Sequence, residues 1–185
     1  MDGSLYLMIA REAILTVFQN SEIDTKALQQ VYPELSHHQA TFVTLTINGR
    51  LRGCIGSLIA HRSLIDDLIS NARSAALRDP RFTPLTPNEF GEIMIEVSLL
   101  THPQLLTYAD KEELKRLIRP NIDGVILLLG NHQATFLPQV WEELEHFDSF
   151  FDHLGHKAGI GSDPLSYHPE ISVYQVKKFK EQVNE

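Results

Sequence analysis

Apolar side chains at helical spacing open the chain. Leu5, Ile9, Ala13 and Val17 form one stripe with Leu7, Ile14 and Phe18 beside it, which predicts an amphipathic helix over Leu5–Phe18. Residues 22–38 are polar, carry Pro33, and read as a loop or a short helix. From Ala40 the period changes to two: Ala40–Ile47 alternates and is rich in Thr, Val and Phe, a strand pattern. Asn48-Gly49 follows, a tight-turn pair because both residues tolerate positive φ, so Arg50–Ile55 reads as the returning strand of a hairpin. Ser63 is placed to cap a helix running through Leu64, Leu68, Ala72 and Ala75-Ala76 and ending ahead of Pro80. Arg78–Phe82 reads as a structured loop, and Thr86-Pro87-Asn88-Glu89 carries a capping-box pattern with proline at the first helical position.

The second half mixes the two periods in the same way. Ile93–Leu100 is a mostly apolar strand on which Glu96 and Ser98 fall on one face, so both are expected to project into the same pocket. Asp110–Ile118 reads as a helix capped by Asp110. Gly124–Leu129 is an apolar strand, Gly130-Asn131 a turn and Ala134–Leu137 its return. Pro138 starts a further helix, Phe147–Ala158 forms another closed by Gly159 and Gly161, and Ile171–Phe179 is a final strand. Strands joined by hairpins and interleaved with helices predict an α+β fold, mostly antiparallel sheet with flanking helices, rather than a doubly wound one. With no internal repeat, linker or low-complexity tract, residues 1–185 read as one domain.

Composition narrows the chemistry. The net charge is −8 and the densest basic stretch is Lys177-Lys178-Phe179-Lys180, so no nucleic-acid partner is expected. The apolar runs fall short of the roughly 20 residues that span a bilayer, so no membrane partner is expected either. The start of the chain lacks a basic stretch ahead of an apolar run, which argues against a secretory leader. Cys54 is the single cysteine; it excludes an internal disulfide and a multi-cysteine zinc site and fits a reducing, cytoplasmic compartment. Dinucleotide, P-loop and zincin patterns are absent. Asp152, His153 and His156 have helical spacing, but a third ligand at motif spacing is missing, so neither metal nor cofactor is expected.

The segment Leu51-Arg52-Gly53-Cys54-Ile55-Gly56-Ser57 is where chemistry concentrates. Glycine inside a strand marks a bulge or a close backbone approach, and two glycines bracketing a cysteine leave the sulfur unshielded and backbone N–H groups free to face a ligand. In a regular strand Arg52 and Cys54 share a face, and a guanidinium beside a thiol favours the thiolate. A lone cysteine is equally at home as a small buried hydrophobe, so the residues alone leave both readings open.

These residues resemble the signature hexapeptide of the AMMECR domain family. Other segments agree in order: Asn71-Ala72 with Ala75-Ala76, Asp79-Pro80-Arg81-Phe82, Ile95-Glu96-Val97-Ser98 with Leu100-Thr101 and Pro103, Gly124, Thr135–Trp141, and Lys157-Ala158-Gly159. The resemblance covers nearly the whole chain and is nearest to the stand-alone prokaryotic type, the A component of the AmmeMemoRadiSam group. It implies a two-lobed α+β fold, with a larger and a smaller lobe around a cleft lined by the signature segment. It also implies a Memo-like protein and a radical-SAM protein as partners. A homodimer is a further candidate assembly. Ser57 stands where Thr is the usual residue, and keeps the hydroxyl.

Two functions follow. In the first, the cleft centred on Cys54 acts in small-molecule or protein modification. Cys54 is then the nucleophile, Glu96 or Asp79 its acid–base partner, and Arg52 an anion contact, with Gly53, Gly56, Asp79, Arg81 and Gln139 completing the binding residues. The histidine that usually activates a cysteine is missing from the shared segments, which weighs against a protease-like mechanism. In the second, the same cleft is a non-catalytic binding or scaffold module. Several candidates have plainer explanations: Asp79 and Arg81 as a mutually paired turn locked by Pro80, Glu96 as a buried charge satisfied by Arg52, Arg73 or Arg81, and Trp141 as a core anchor.

Overall fold

A computed structural model describes residues 3–182. Among these residues are six α-helices and eight strands in two four-stranded sheets, and the chain divides into two compact units. Residues 3–100 and 177–182 form the first, Thr101–Val176 the second. Among the described residues no helix is long and apolar enough to cross a membrane.

The first unit opens with helix α1 (Ser4–Gln19), followed by the short helix α2 (Thr25–Val31), whose first turn is capped by the Asp24 carboxylate. Strand β1 (Thr41–Ile47) and strand β2 (Arg50–Gly56) form the expected hairpin. Asn48 at φ 51° and Gly49 at φ 76° are both left-handed, the geometry whose twist matches that of the flanking strands. Helix α3 (Leu64–Leu77) starts at Ser63, whose hydroxyl accepts the Asp66 N–H, and the capping box forms at α4 (Pro87–Phe90). Strand β3 (Ile93–Leu100) pairs with β1 on the side away from β2, so the sheet order is β2-β1-β3-β8.

Alternation sorts the two faces of this sheet. Val43 and Leu45 of β1 and Ile95 and Val97 of β3 pack against Ile9, Ala13 and Ile14 of α1 and Leu64, Leu68 and Ala72 of α3. Phe42, Thr44 and Thr46 therefore point to the face opposite the helices.

The second unit contains β4 (Gln104–Leu105), α5 (Lys111–Leu117), β5 (Gly124–Leu129), β6 (His132–Phe136), α6 (Phe147–Lys157) and β7 (Glu170–Tyr174), with sheet order β4-β7-β5-β6. Trp141 is its core anchor: the ring stacks on Phe150 with centroids 3.6 Å apart, and the indole N–H donates to the Asp123 carbonyl at 2.9 Å.

The short helix allowed for residues 22–38 is α2, followed by a 3-10 turn at Pro33–Ser36. Three features differ from the sequence expectation. The segment from Pro138 is a 3-10 turn, Pro138–Glu142, rather than an α-helix. The two-residue strand β4 is too short to leave a periodic signal. The single strand expected over Ile171–Phe179 is two strands in different sheets: β7 pairs with β5, and β8 (Val176–Lys180) joins β3. The break falls at Gln175, whose carbonyl accepts the Thr101 N–H and whose amide donates to Asp123 Oδ1 at 2.8 Å. Ile171, Val173 and Phe179 keep one parity across it, so the hydrophobic period runs through without a mark.

Candidate functional site

The segment Leu51–Gly56 lies in strand β2, the outer edge of the first sheet. Ser57 N–H donates to the Thr41 carbonyl at 2.8 Å. Alternation along the antiparallel ladder then makes Val43–Ile55 a hydrogen-bonded pair and Thr44–Cys54 a non-hydrogen-bonded one. The N–H and C=O of Cys54 therefore point out of the free edge. They are not left for a ligand, as the flanking glycines suggested. Asp79 Oδ2 accepts the Cys54 N–H at 3.0 Å, and Arg81 Nη2 donates to the Cys54 carbonyl at 3.4 Å. The loop after α3 thus occupies the position of a missing neighbouring strand.

Asp79 is buried and holds Arg81 at both oxygens, with Nε to Oδ1 at 3.0 Å and Nη2 to Oδ2 at 2.7 Å. Hydrogen bonds from the Arg81 guanidinium hold the Asp79 carboxyl far below the usual carboxylate range, against the upward push of burial; the N–H groups of Cys54 and Arg81 add to the lowering. The plainer expectation for this loop, an Asp79–Arg81 pair, is present, and the same two side chains also reach Cys54.

Arg52 does not share a face with Cys54 in the simple way a regular strand requires. Thr46 pairs with Leu51 and Leu45 with Gly53, so Arg52 is the extra residue of a β-bulge. Its guanidinium turns to the Thr83 carbonyl and the Glu89 carboxylate, both at 2.9 Å, and lies 5.8 Å from the Phe82 ring centre. Arg81 lies 5.5 Å from the same ring, so Phe82 joins the two arginines. The hydrogen bond from Arg52, followed by the Thr86 N–H, pulls the Glu89 carboxyl below its ordinary value.

The two glycines have separate packing reasons. A Cβ on Gly53 would stand 2.0 Å from the Ala75 carbonyl oxygen of α3, and one on Gly56 would stand 2.2 Å from the Phe42 ring. Ser57, just beyond, belongs to a buried network. Asp67 of α3 accepts from the Thr41 N–H (2.8 Å), the Thr41 hydroxyl (2.7 Å), the Ser57 hydroxyl (2.6 Å) and Arg62 Nε (2.7 Å). Asn71 donates to the same group. Sequence reasoning passed over Asp67, although a signal exists: Asp67 and Asn71 sit four residues apart within the apolar stripe of α3.

On the face opposite the helices, the half-buried Cys54 Sγ lies 3.2 Å from Thr44 Oγ1. Thr44 is flanked on its other side by Glu96, so Cys54, Thr44 and Glu96 form one row across three strands. Neighbouring strands are about 4.8 Å apart, which separates Cys54 from Glu96 by about 10 Å. Glu96 is not satisfied by an arginine: Arg52 binds Glu89, Arg81 binds Asp79, and Arg73 binds the Ala13 carbonyl, Thr16 and Glu22. Gln139 lies exposed on the 3-10 turn of the second unit. The structure therefore brings Cys54, Asp79 and Arg81 together and sets Glu96 in the same row. It directs Arg52 elsewhere. Among the described residues no cluster of three His, Cys, Asp or Glu side chains could hold a metal ion.

The AMMECR1 family model matches residues 7–179. The chain belongs to the AMMECR1 family. It is 38% identical over 186 aligned positions to protein Mbar_A1807 of Methanosarcina barkeri, covering 98% of this chain and 91% of that protein. A Methanothermobacter thermautotrophicus protein is also 38% identical, over 94% of this chain and 90% of its own length. The crystal structure of the uncharacterized protein PH0010 from Pyrococcus horikoshii superposes with a TM-score of 0.79 at 30% identity, covering 97% of this chain and 91% of that one. In this AMMECR1 chain, Arg52, Gly53, Gly56 and Ser57 each have an architectural partner, while Cys54 and the exposed Leu51 lie on the face opposite the helices.

The ion-paired carboxylates make acid sensitivity specific. Asp79 and Glu89 have lowered folded-state values, so the stability they confer is present above their unfolded values near 4 and is lost as pH falls through the folded ones. Asp79→Asn should lower the melting temperature clearly at pH 7, and the gap to wild type should shrink below pH ~4 as the unfolded carboxyl takes up its proton. Thermal melts of both proteins across pH 3–7 check this; a constant gap would show that charge at Asp79 is not the source.

Proposed function

We propose that the face carrying Cys54, Thr44 and Glu96 is a recognition surface, presenting Cys54 to a small molecule or a partner-protein segment, within a modification system that includes a Memo-like and a radical-SAM partner. The observation that supports recognition is the way Cys54 is held. Asp79 and Arg81 take its N–H and C=O, and Thr44 is the hydrogen-bond neighbour of its sulfur. Among the described residues no imidazole or carboxylate is bonded to Sγ, whereas a cysteine nucleophile is usually activated by a base within hydrogen-bond reach. The loop fixes where the thiol sits without supplying a group to take its proton.

One observation favours catalysis as the second reading: Glu96 lies in the same row, half-buried, its carboxylate without an ion pair or hydrogen bond among the described residues, so a bound substrate could bridge it to Cys54. Pull-down of the Memo-like and radical-SAM proteins of the same genome, with wild type, Cys54→Ser and Cys54→Trp, tests the proposal. Recognition predicts that Ser retains capture and that Trp, which fills the space above Thr44, lowers it by about tenfold or more. Equal capture by wild type and Cys54→Trp removes this face from recognition. A covalent adduct on Cys54, seen by intact mass after isolation with the partners, transfers the assignment to catalysis.

A further inference from the structure

Away from the Cys54 face, α1 and α2 leave an apolar groove of about 320 Å3. Ile9 is its buried floor, and Met8, Ile23 and Leu28 line its walls. Met8 is 54% exposed, although it sits on a helix whose opposite stripe is fully packed. α2 contributes no fully buried residue, and Val31 at its end is 68% exposed. Carboxylates ring these apolar walls: Glu12, Asp24 and Glu22 all line the groove. Glu12 and Asp24 have no ion pair among the described residues, and the highly exposed Glu22 meets Arg73 only at 3.7 Å. The groove is thus apolar inside and negative at the rim, on a chain whose net charge is −8.

We propose that the α1–α2 groove docks a basic amphipathic helix of a partner protein. An apolar groove of this kind accepts side chains spaced i, i+3 and i+4 on one helix face, and a methionine wall adapts to their shape. The carboxylate rim selects Lys and Arg on the flanks of that helix and repels acidic competitors, including a second copy of this chain. The site is independent of the Cys54 recognition face, and its failure or success leaves that assignment untouched.

The probe is a fluorescein-labelled synthetic helix of leucine and lysine only, with leucines on one face. A scrambled peptide of the same composition is the control, and fluorescence anisotropy with the full chain is the readout. Saturable binding of the amphipathic peptide is expected, weakened about tenfold by Glu12→Gln with Asp24→Asn, and similarly by Met8→Asp. Asparagine at 24 keeps the cap of α2, so the double variant should melt like wild type; it decides the question even if Met8→Asp fails to fold. Glu142→Gln with Glu143→Gln removes the same charge from the second unit and should leave binding unchanged. Absent binding, equal binding of the scrambled peptide, or equal weakening by the two charge-removing pairs overturns the proposal.

Discussion

Gly53→Ala is expected to destabilise the first unit by about 3 kcal/mol or more, a loss near or above the top of the range seen when an extra methyl is forced into a packed interior. For a chain of this size that corresponds to a fall in melting temperature of about 6–12 °C. The added Cβ would stand 2.0 Å from the Ala75 carbonyl oxygen and 3.0 Å from its carbon. Both are backbone atoms of α3, so no side chain can rotate away; strand or helix must move as a body. Ala75 and its neighbours Ala72 and Ala76 are buried, which leaves α3 little room to retreat. Gly56→Ala is the informative contrast. Its Cβ would meet the Phe42 ring, a side chain that can turn, so its cost should be smaller and should fall further in a Phe42→Leu background. Thermal melts of the three variants check the order. Gly53→Ala also displaces β2 at the residue before Cys54, so alkylation of Cys54 under native conditions should speed up with it. A Gly53→Ala protein that melts with wild type would show that α3 and β2 are not packed as closely as the clash requires.

Much of this architecture was legible because it rests on local physics. The Asn48-Gly49 turn, the caps at Ser63 and Asp110, the capping box at Thr86 and the apolar run of β3 each carry their cause within a few residues. What failed depends on partners distant in sequence. A β-bulge at Arg52 needs the register of β1 to be seen; Gly53 hints at it but does not say which residue is extra. Arg52 and Cys54 align by parity only in a regular ladder, which the bulge interrupts. Glu96 looked like a buried charge in search of an arginine, yet all three candidates are engaged by Glu89, Asp79 and Glu22. Likewise, the role of Asp79 as a stand-in strand partner for Cys54 follows from α3 ending beside the edge of β2, a tertiary fact. The segment Leu51–Ser57 reads differently as a result: most of its unusual composition is explained by packing against α3, Phe42 and Glu89, while Leu51 and the sulfur of Cys54 face away from the helices.

Asp67→Ala should be the most damaging single polar substitution in the first unit, costing about 3–5 kcal/mol, the range for stripping one partner from a buried charged cluster. Asp67 is 1% exposed and accepts from five donors spread over three chain segments: Thr41 at the start of β1, Ser57 at the end of β2, and Arg62 and Asn71 around the start and middle of α3. Alanine leaves the Thr41 N–H, the Ser57 hydroxyl and Arg62 without their acceptor, and each unmet buried donor carries its own desolvation penalty. The carboxylate also sits in the first turn of α3, where negative charge opposes the positive end of the helix dipole. Asp67→Asn separates the contributions. It keeps the shape but exchanges one acceptor oxygen for an NH2 group that must face a donor, so it should recover only part of the loss. Arg62→Ala should cost less than either, because the Arg62 side chain is 31% exposed and water can replace it at one edge. Ser57→Thr keeps the donating hydroxyl and should stay near wild type, whereas Ser57→Ala should lose about 1–2 kcal/mol. Hydrogen exchange gives the spatial check: in Asp67→Ala the Thr41 and Ser57 amides should lose protection first, while those of β5 and β7 in the second unit hold theirs. If exchange rises equally in both units, the Asp67 cluster does not act as a local clasp between β1, β2 and α3.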